Sequence, residues 1–147
     1  MSNQLRPTGL SGCYRCGFVW KPRNPEARRC PRCKSQLWDA PLLRPVRRGS
    51  GLGVAEILEP KRRQIEEILR KNKARNPRVF GSVARNQASK RSDIDLLVDF
   101  DEGASLFDQV GLIQDLEKLF RRKVDIAEPA GLHWLIRPQV LFEAVTF

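Results

Sequence analysis

The alternation of apolar and polar positions changes period several times along the second half of the chain, and each change marks an element. From Lys61 to Lys73 the residues Ile65, Ile68 and Leu69 recur at i, i+3 and i+4, which predicts a helix with one apolar face and basic residues toward water. Pro60 fits its first turn, where a missing N–H costs nothing. Asn76-Pro77 is expected to break it, leaving Arg78-Val79-Phe80 as a short strand that ends on Gly81-Ser82, with Val83-Ala84-Arg85 beginning a turn of helix. Ile94, Leu96, Val98 and Phe100 then alternate with Asp93, Asp95 and Asp99, the signature of a strand with one face in the core. Leu106, Val110, Ile113, Leu116 and Phe120 return to helical spacing, so residues 105–120 are expected to pack on that sheet. Lys123-Val124-Asp125-Ile126-Ala127 reads as a further strand. After it, with His133 beside Trp134 read as a helix-surface or packing residue, Pro138 suggests a short helix, a break and a second helix to about Val145. Strands and helices interleave in this part of the chain, and with a separate cysteine module before it the expected fold class is α+β.

The first third of the chain follows another rule. Cys13-Tyr14-Arg15-Cys16 and Cys30-Pro31-Arg32-Cys33 form two C-x2-C knuckles separated by 13 residues. Each knuckle lets two sulfurs grip one ion, and two of them close a tetrahedron around Zn2+ at about 2.3 Å per bond. Four thiolates leave no open position, so Cys13, Cys16, Cys30 and Cys33 are expected to hold a structural zinc in a ribbon over residues 10–40. Gly17 suits the tight turn behind the first knuckle. Phe18, Val19, Trp20, Leu37 and Trp38 would supply a thin apolar layer. From residue 41 to about 55 prolines, glycines and arginines oppose regular structure and read as a linker, which leaves residues 56–147 for one compact domain.

Charge changes what these two parts can do. The chain of 147 residues carries a net charge of +10, unevenly spread. Residues 1–50 hold 11 basic and 2 acidic side chains, residues 51–92 hold 11 and 4, and residues 93–147 hold 5 and 11, giving +9, +7 and −6. The basic portion fits attraction to nucleic acid or to an acidic partner. In the ribbon, Arg15, Lys21, Arg23, Arg28, Arg29, Arg32 and Lys34 would offer phosphate contacts that position without reading sequence. No apolar run approaches the ~20 residues of a membrane helix, so no membrane span is expected. The start of the chain shows no secretory pattern, and clustered cysteines without disulfide partners elsewhere place it in a reducing cytoplasm.

The acidic portion is where chemistry is expected. Asp93 and Asp95 project from the same face of one strand, and two carboxylates that close repel unless a cation lies between them. A hard divalent ion, Mg2+, is the simplest remedy. If the strand around Asp125 lies beside the first, three acids meet at one spot facing the Gly81-Ser82 turn.

These residues carry a resemblance. Gly81-Ser82, a nine-residue gap, Ser92-Asp93-Ile94-Asp95 and a later Val124-Asp125-Ile126 resemble the nucleotidyltransferase superfamily of DNA polymerase beta. Residues 79–85, 92–100, 105–108, 122–126 and Leu141-Phe142-Glu143-Ala144-Val145 are similar to the minimal nucleotidyltransferase (MNT) family, over about residues 56–147. The resemblance implies a polymerase-beta-like domain with a short mixed sheet flanked by helices. It implies transfer of AMP from ATP to a hydroxyl, with Asp93, Asp95 and Asp125 holding Mg2+ and serving as the catalytic residues. Gly81, Ser82, Arg85 and Ser92 would bind the nucleotide. Many members are antitoxins that AMPylate a tyrosine of a HEPN-type toxin. The cysteine run in turn resembles four-cysteine zinc ribbons of small regulatory and antitoxin-like proteins. One departure stands at Asn86-Gln87, where the family usually has Gly-Glu; Asn tolerates the left-handed backbone that Gly would take.

Only 22 residues follow Asp125, too few for a separate acceptor-binding domain, so the acceptor is expected on a partner. The expected activity is therefore protein adenylyl transfer, with the ribbon binding nucleic acid or the partner. The competing readings are a nucleic-acid-binding regulator on an inactive transferase fold, and nucleotide addition to an RNA end.

Overall fold

The computed structural model describes residues 9–24 and 27–147, so Pro25 and Glu26 of the expected ribbon lie outside the described residues. Two compact units emerge. One comprises the described residues up to Arg44 together with His133–Gln139, the other Pro45–Leu132 with Val140–Phe147.

In the smaller unit, β1 (Ser11–Gly12) pairs antiparallel with β2 (Val19–Trp20). Cys13, Cys30 and Trp38 are buried, and Cys16, Phe18, Trp20 and Ala27 pack around them. Trp20 meets Trp38 edge to face at 4.9 Å, and Trp38 Nε1 donates to the Ala27 carbonyl at 3.0 Å. Val19 and Leu37, expected in this layer, are exposed instead. Successive strand side chains point to opposite faces, so with Trp20 turned inward Val19 turns out. Tyr14 packs edge-on against Trp134 at 5.1 Å, which joins the later segment to this unit. The Gln139 amide accepts the Arg44 N–H at 2.7 Å and donates to the Arg44 carbonyl at 3.2 Å.

The larger unit is a four-stranded mixed sheet. A short helix α1 (Val54–Ile57) and a 3-10 turn, Glu59–Lys61, lead into α2 (Arg62–Lys71). Pro60 sits in that turn's first positions, and Ile65 and Leu69 are buried as the spacing required. Next come β3 (Ala74–Phe80), α3 (Gly81–Ala84), β4 (Ile94–Phe100), α4 (Leu106–Phe120), β5 (Val124–Ala127), α5 (Arg137–Glu143) and β6 (Val145–Thr146). The strand order is β5-β4-β3-β6; β4 and β5 run parallel and the other pairs antiparallel. Parallel strands need a crossover, and α4 supplies it. Ile94, Leu96 and Val98 of β4 are fully buried against Leu112, Leu116 and Phe120 of α4 and Ile65 and Leu69 of α2. No helix among the described residues is long and apolar enough to cross a membrane.

Three expectations need correction. Asn76-Pro77 does not precede the strand but lies inside it, because the pairing of β3 with β4 shifts register between Arg75 and Arg78. A bulge leaves residues outside the ladder, which suits a proline without N–H and an asparagine at φ 51°. Pro138 does not divide two helices; it lies in the first turn of α5, and the residues after Ala144 form β6 rather than helix. In α4 the buried side is Leu112, Leu116 and Phe120, while Leu106, Phe107 and Val110 are exposed. At about 100° per residue Val110 and Phe107 stand a third of a turn or more from that stripe, so the helix is apolar over more of its circumference than the core covers. Ser105 and Asp108 cap its start reciprocally, the Ser105 N–H donating to Asp108 Oδ2 at 2.7 Å.

This arrangement makes the two halves of α4 separable by stability. Leu116→Ala, at a fully buried position, should cost about 3 kcal/mol in urea unfolding. Leu106→Ala, at 73% exposure, should stay within about 0.5 kcal/mol. Equal costs at the two sites would contradict the packing described.

Candidate functional site

The parallel pairing of β4 with β5 sets Ile94 against Val124, Asp95 against Asp125 and Leu96 against Ile126. Asp95 and Asp125 therefore stand side by side on the sheet face opposite the core, and Asp93 lies two residues earlier on the same face. Asp95 is half-buried. Burial, then the charges of Asp125 and Asp93, push its carboxyl above the ordinary aspartate value of 3.8, against the opposing pull of Arg85 and Lys123. Lys123 is the cation in contact: its Nζ lies 3.3 Å from Asp125 Oδ2 and 4.0 Å from Asp93 Oδ2. The hydrogen bond to Asp125 raises the lysine above its usual value. Asp93 and Asp125 share the Lys123 cation beside Asp95, and carboxylate oxygens are the donors that a hard divalent cation takes.

Gly81 faces this cluster. Its φ is +69°, and a Cβ there would collide with the Asp95 carboxylate, so two constraints require glycine. Its N–H donates to Glu143 Oε1 at 3.2 Å. Arg85 Nη1 donates to both oxygens of the same Glu143 at 3.2 and 3.0 Å, and Arg85 Nε donates to Gln87 Oε1 at 3.1 Å. The Ser82 carbonyl accepts the Gln87 N–H at 2.8 Å, closing the turn. Asn86 takes φ 53°. The Ser92 hydroxyl is engaged by Ser89, accepting its N–H at 2.8 Å. The structure thus brings Gly81, Arg85, Asp95 and Asp125 around one place, whereas the Ser92 hydroxyl caps a neighbouring turn.

Part of the stretch read as a linker lies along this loop. Gly49 and Gly51 donate to the carbonyls of Arg85 and Asn86 at 2.7 Å each, and Leu52 and Ala88 bond reciprocally at 2.9 and 3.2 Å. A Cβ on Gly51 would come within 2.9 Å of the Ala88 carbonyl oxygen. Close backbone approach explains the glycines. Sequence reasoning assigned no role to Lys123, Gln87 or Glu143; the one available signal was the i, i+2 placement of Lys123 and Asp125 on one strand face.

The four cysteines form a second cluster. Their sulfurs all lie within 4.8 Å of one another, with Cys13 to Cys33 at 3.6 Å and Cys16 to Cys30 at 3.8 Å, and no disulfide forms. Tetrahedral bonds of about 2.3 Å place sulfurs about 3.8 Å apart, so the donor set fits one metal ion. The knuckles match: Gly17 N–H returns to the Cys13 carbonyl at 2.8 Å and Lys34 N–H to the Cys30 carbonyl at 2.9 Å, both from left-handed backbone. Arg15 N–H points at Cys13 Sγ at 3.3 Å and Cys33 N–H at Cys30 Sγ at 3.5 Å. Burial pushes the Cys13 thiol up to about 12. Cys30 feels burial in the same direction, but the N–H groups of Cys33 and Arg32 bring it down to about 7.

Known proteins share the larger unit. The family model described as Nucleotidyltransferase domain matches residues 61–146. A protein of Methanocaldococcus jannaschii that bears the name protein adenylyltransferase is 42% identical over 84 residues, 57% of this chain and 90% of its own length. The protein adenylyltransferase MntA of Thermococcus cleftensis is 42% identical over 67 residues, 46% of this chain and 68% of its own. A solved structure described as a minimal nucleotidyltransferase is 41% identical, covers 67% of this chain and all of its own, and superposes with a TM-score of 0.57.

The carboxylate cluster predicts a pH-dependent stability. The folded protein holds the Asp95 proton to higher pH than the unfolded chain does, so stability falls as pH rises through the raised value and the penalty is complete above it. With no divalent cation added, Asp95→Asn should therefore raise Tm at pH 7. The gain should shrink as pH drops and vanish below the ordinary aspartate value of 3.8, where both states are protonated. A lower Tm at pH 7 would show that the acids are not in conflict.

Proposed function

Because the chain belongs to the nucleotidyltransferase domain family, we propose that it transfers AMP from ATP to a tyrosine hydroxyl of a partner protein, as the antitoxin of a HEPN/MNT toxin–antitoxin pair. The observation that carries this reading is the parallel register that seats Asp125 beside Asp95, across from Gly81. The relatives named as protein adenylyltransferases support adenylyl transfer to protein as the reaction class.

In this reading residues 56–147 are the transferase, residues 10–40 the ribbon and 41–55 the connection. Asp93 and Asp95 hold Mg2+ against the nucleotide, and Asp125 completes the site on the side of the attacking hydroxyl. Bound Mg2+ supplies charge neutralisation at the phosphates and favours the deprotonated hydroxyl. Gly81 and Ser82 meet the phosphates through the backbone N–H and the side-chain hydroxyl, Arg85 offsets their charge, and Ser92 orders the loop that leads into Asp93. Cys13, Cys16, Cys30 and Cys33 hold a structural Zn2+.

The ribbon's cations divide by what they touch. Arg15 Nε is engaged with the Leu37 carbonyl at 3.1 Å and Lys34 Nζ with the Pro31 carbonyl at 2.7 Å, whereas Arg28 and Arg29 line a groove with Trp38 and Asp39. Arg28 and Arg29 are the contacts we assign to nucleic acid or to an acidic partner surface.

Incubation with alpha-labelled ATP, Mg2+ and the protein encoded beside it should label that neighbour. Asp93→Ala/Asp95→Ala should reduce labelling by about a thousandfold or more, the scale expected when metal-held charge stabilisation is lost. Label on RNA instead of protein would replace the acceptor; no label at all with salt-sensitive nucleic-acid binding would replace the enzyme with a regulator. For the ribbon, elemental analysis should find one zinc per chain, lost in Cys30→Ser together with the ribbon's near-ultraviolet tryptophan signal.

A further inference from the structure

The hydrogen bonds behind the carboxylate cluster form one continuous chain. Gln87 Nε2 donates to the Arg47 carbonyl at 3.0 Å, and Gln87 Oε1 accepts from Arg85 Nε at 3.1 Å. Arg85 Nη1 donates to both oxygens of Glu143, and Glu143 Oε1 accepts the Gly81 N–H at 3.2 Å. The Gly81 amide and the Arg85 guanidinium, the two donors assigned above to the nucleotide phosphates, are thus engaged by a single carboxylate. That carboxylate is 10% exposed, which removes most of the water that would otherwise screen it.

A guanidinium and a backbone N–H aimed at the same anion are the donors a phosphate oxygen takes. One N–H makes one good bond, so an arriving triphosphate and Glu143 compete for Gly81. The carboxylate also neutralises Arg85, and its own charge repels the phosphates across a short, partly dry gap. Glu143 closes α5, and after Ala144 the chain enters β6, whose Val145 pairs with Val79 one residue before the end of β3.

We propose that Glu143 is an internal stand-in for nucleotide phosphate. In the free protein it holds the Gly81 N–H and Arg85 in place, and it surrenders the Gly81 N–H when a triphosphate binds. Glu143 is a positioning residue: it acts through Gly81 and Arg85. This rests on the assignment of those two donors to the phosphates. A consequence is that nucleotide binding loosens the segment that carries Glu143 while tightening the Gly-Ser turn. A permanent strut would do the opposite, because its removal would only disorder the donors.

Glu143→Gln tests the sign. It keeps the length and an acceptor oxygen for Gly81 but removes the charge. Calorimetry on the full, zinc-loaded chain with Mg2+ would compare AMP-PNP, inorganic tripolyphosphate and adenosine. AMP-PNP and tripolyphosphate should bind about tenfold more tightly to the variant, the worth of one charge contact in a partly buried site, with adenosine unchanged. Equal or weaker binding of both phosphates overturns the proposal. Hydrogen exchange on the wild-type protein gives an answer that does not depend on the variant folding. Saturating AMP-PNP should slow exchange over residues 80–85 and speed it over residues 140–147; slowing in both segments overturns the proposal. Absence of phosphate binding by both proteins overturns the nucleotide reading itself, and this one with it.

Discussion

Asp95 and Asp125 are placed side by side by the hydrogen-bond register of two parallel strands, and that register is in turn fixed by burial of Ile94, Leu96 and Val124 on the other face. A slip by one residue would turn those apolar side chains to water, so the core prevents the acids from separating. The price is like-charge repulsion in a half-buried place. Its effects extend into the surrounding residues: Lys123 leans in, Gly81 gives up its side chain to make room for Asp95, and Arg85 adds a favourable field. Each of these is costly or unexplained alone and follows at once from the juxtaposition. Acids held in conflict where a neutral pair would be more stable fit the cation-binding role proposed for them.

The smaller unit solves a different problem with the same physics. Its buried set is Cys13, Cys30 and Trp38, too little apolar surface to stabilise a fold by packing alone. Four sulfurs at tetrahedral spacing fit one metal ion, whose bonds would supply the missing free energy once the thiols lose their protons. N–H donors lower the Cys30 thiol while burial holds Cys13 high.

What could be read from the chain depended on whether the signal was local. The alternation from Asp93 to Phe100 and the knuckle spacing are properties of a few adjacent residues, and both elements stand where expected. In α4 the period was right and Leu116 and Phe120 are buried as expected, but the stripe continues to Leu112 and leaves Leu106 and Val110 exposed, a choice made by the neighbouring sheet and α2. Pro77 and Pro138 misled in the same way: proline opposes regular structure on average, yet a bulge admits one and a first helical turn admits the other. Lys123, Gln87 and Glu143 went unnoticed as site residues because their partners are chosen by tertiary placement. Nothing near Glu143 in the sequence points to an arginine 58 residues earlier.

That distance has a functional reading. The loop from Gly81 to Ala88 is held from one side by the glycine-rich strap at residues 47–53 and from the other by Glu143, and Gln87 and Arg85 connect the two supports. Asn86 and Gln87, which depart from the family's usual pair, are therefore fitted to a neighbour: Asn86 takes the left-handed turn and lies against Gly53, and Gln87 bonds the strap's backbone. Residues that depart from a motif when the motif is considered alone become intelligible once the segment at residues 47–53 is counted as part of the loop's support. The match of this segment to the family's usual residues and the support of its loop are then separate matters.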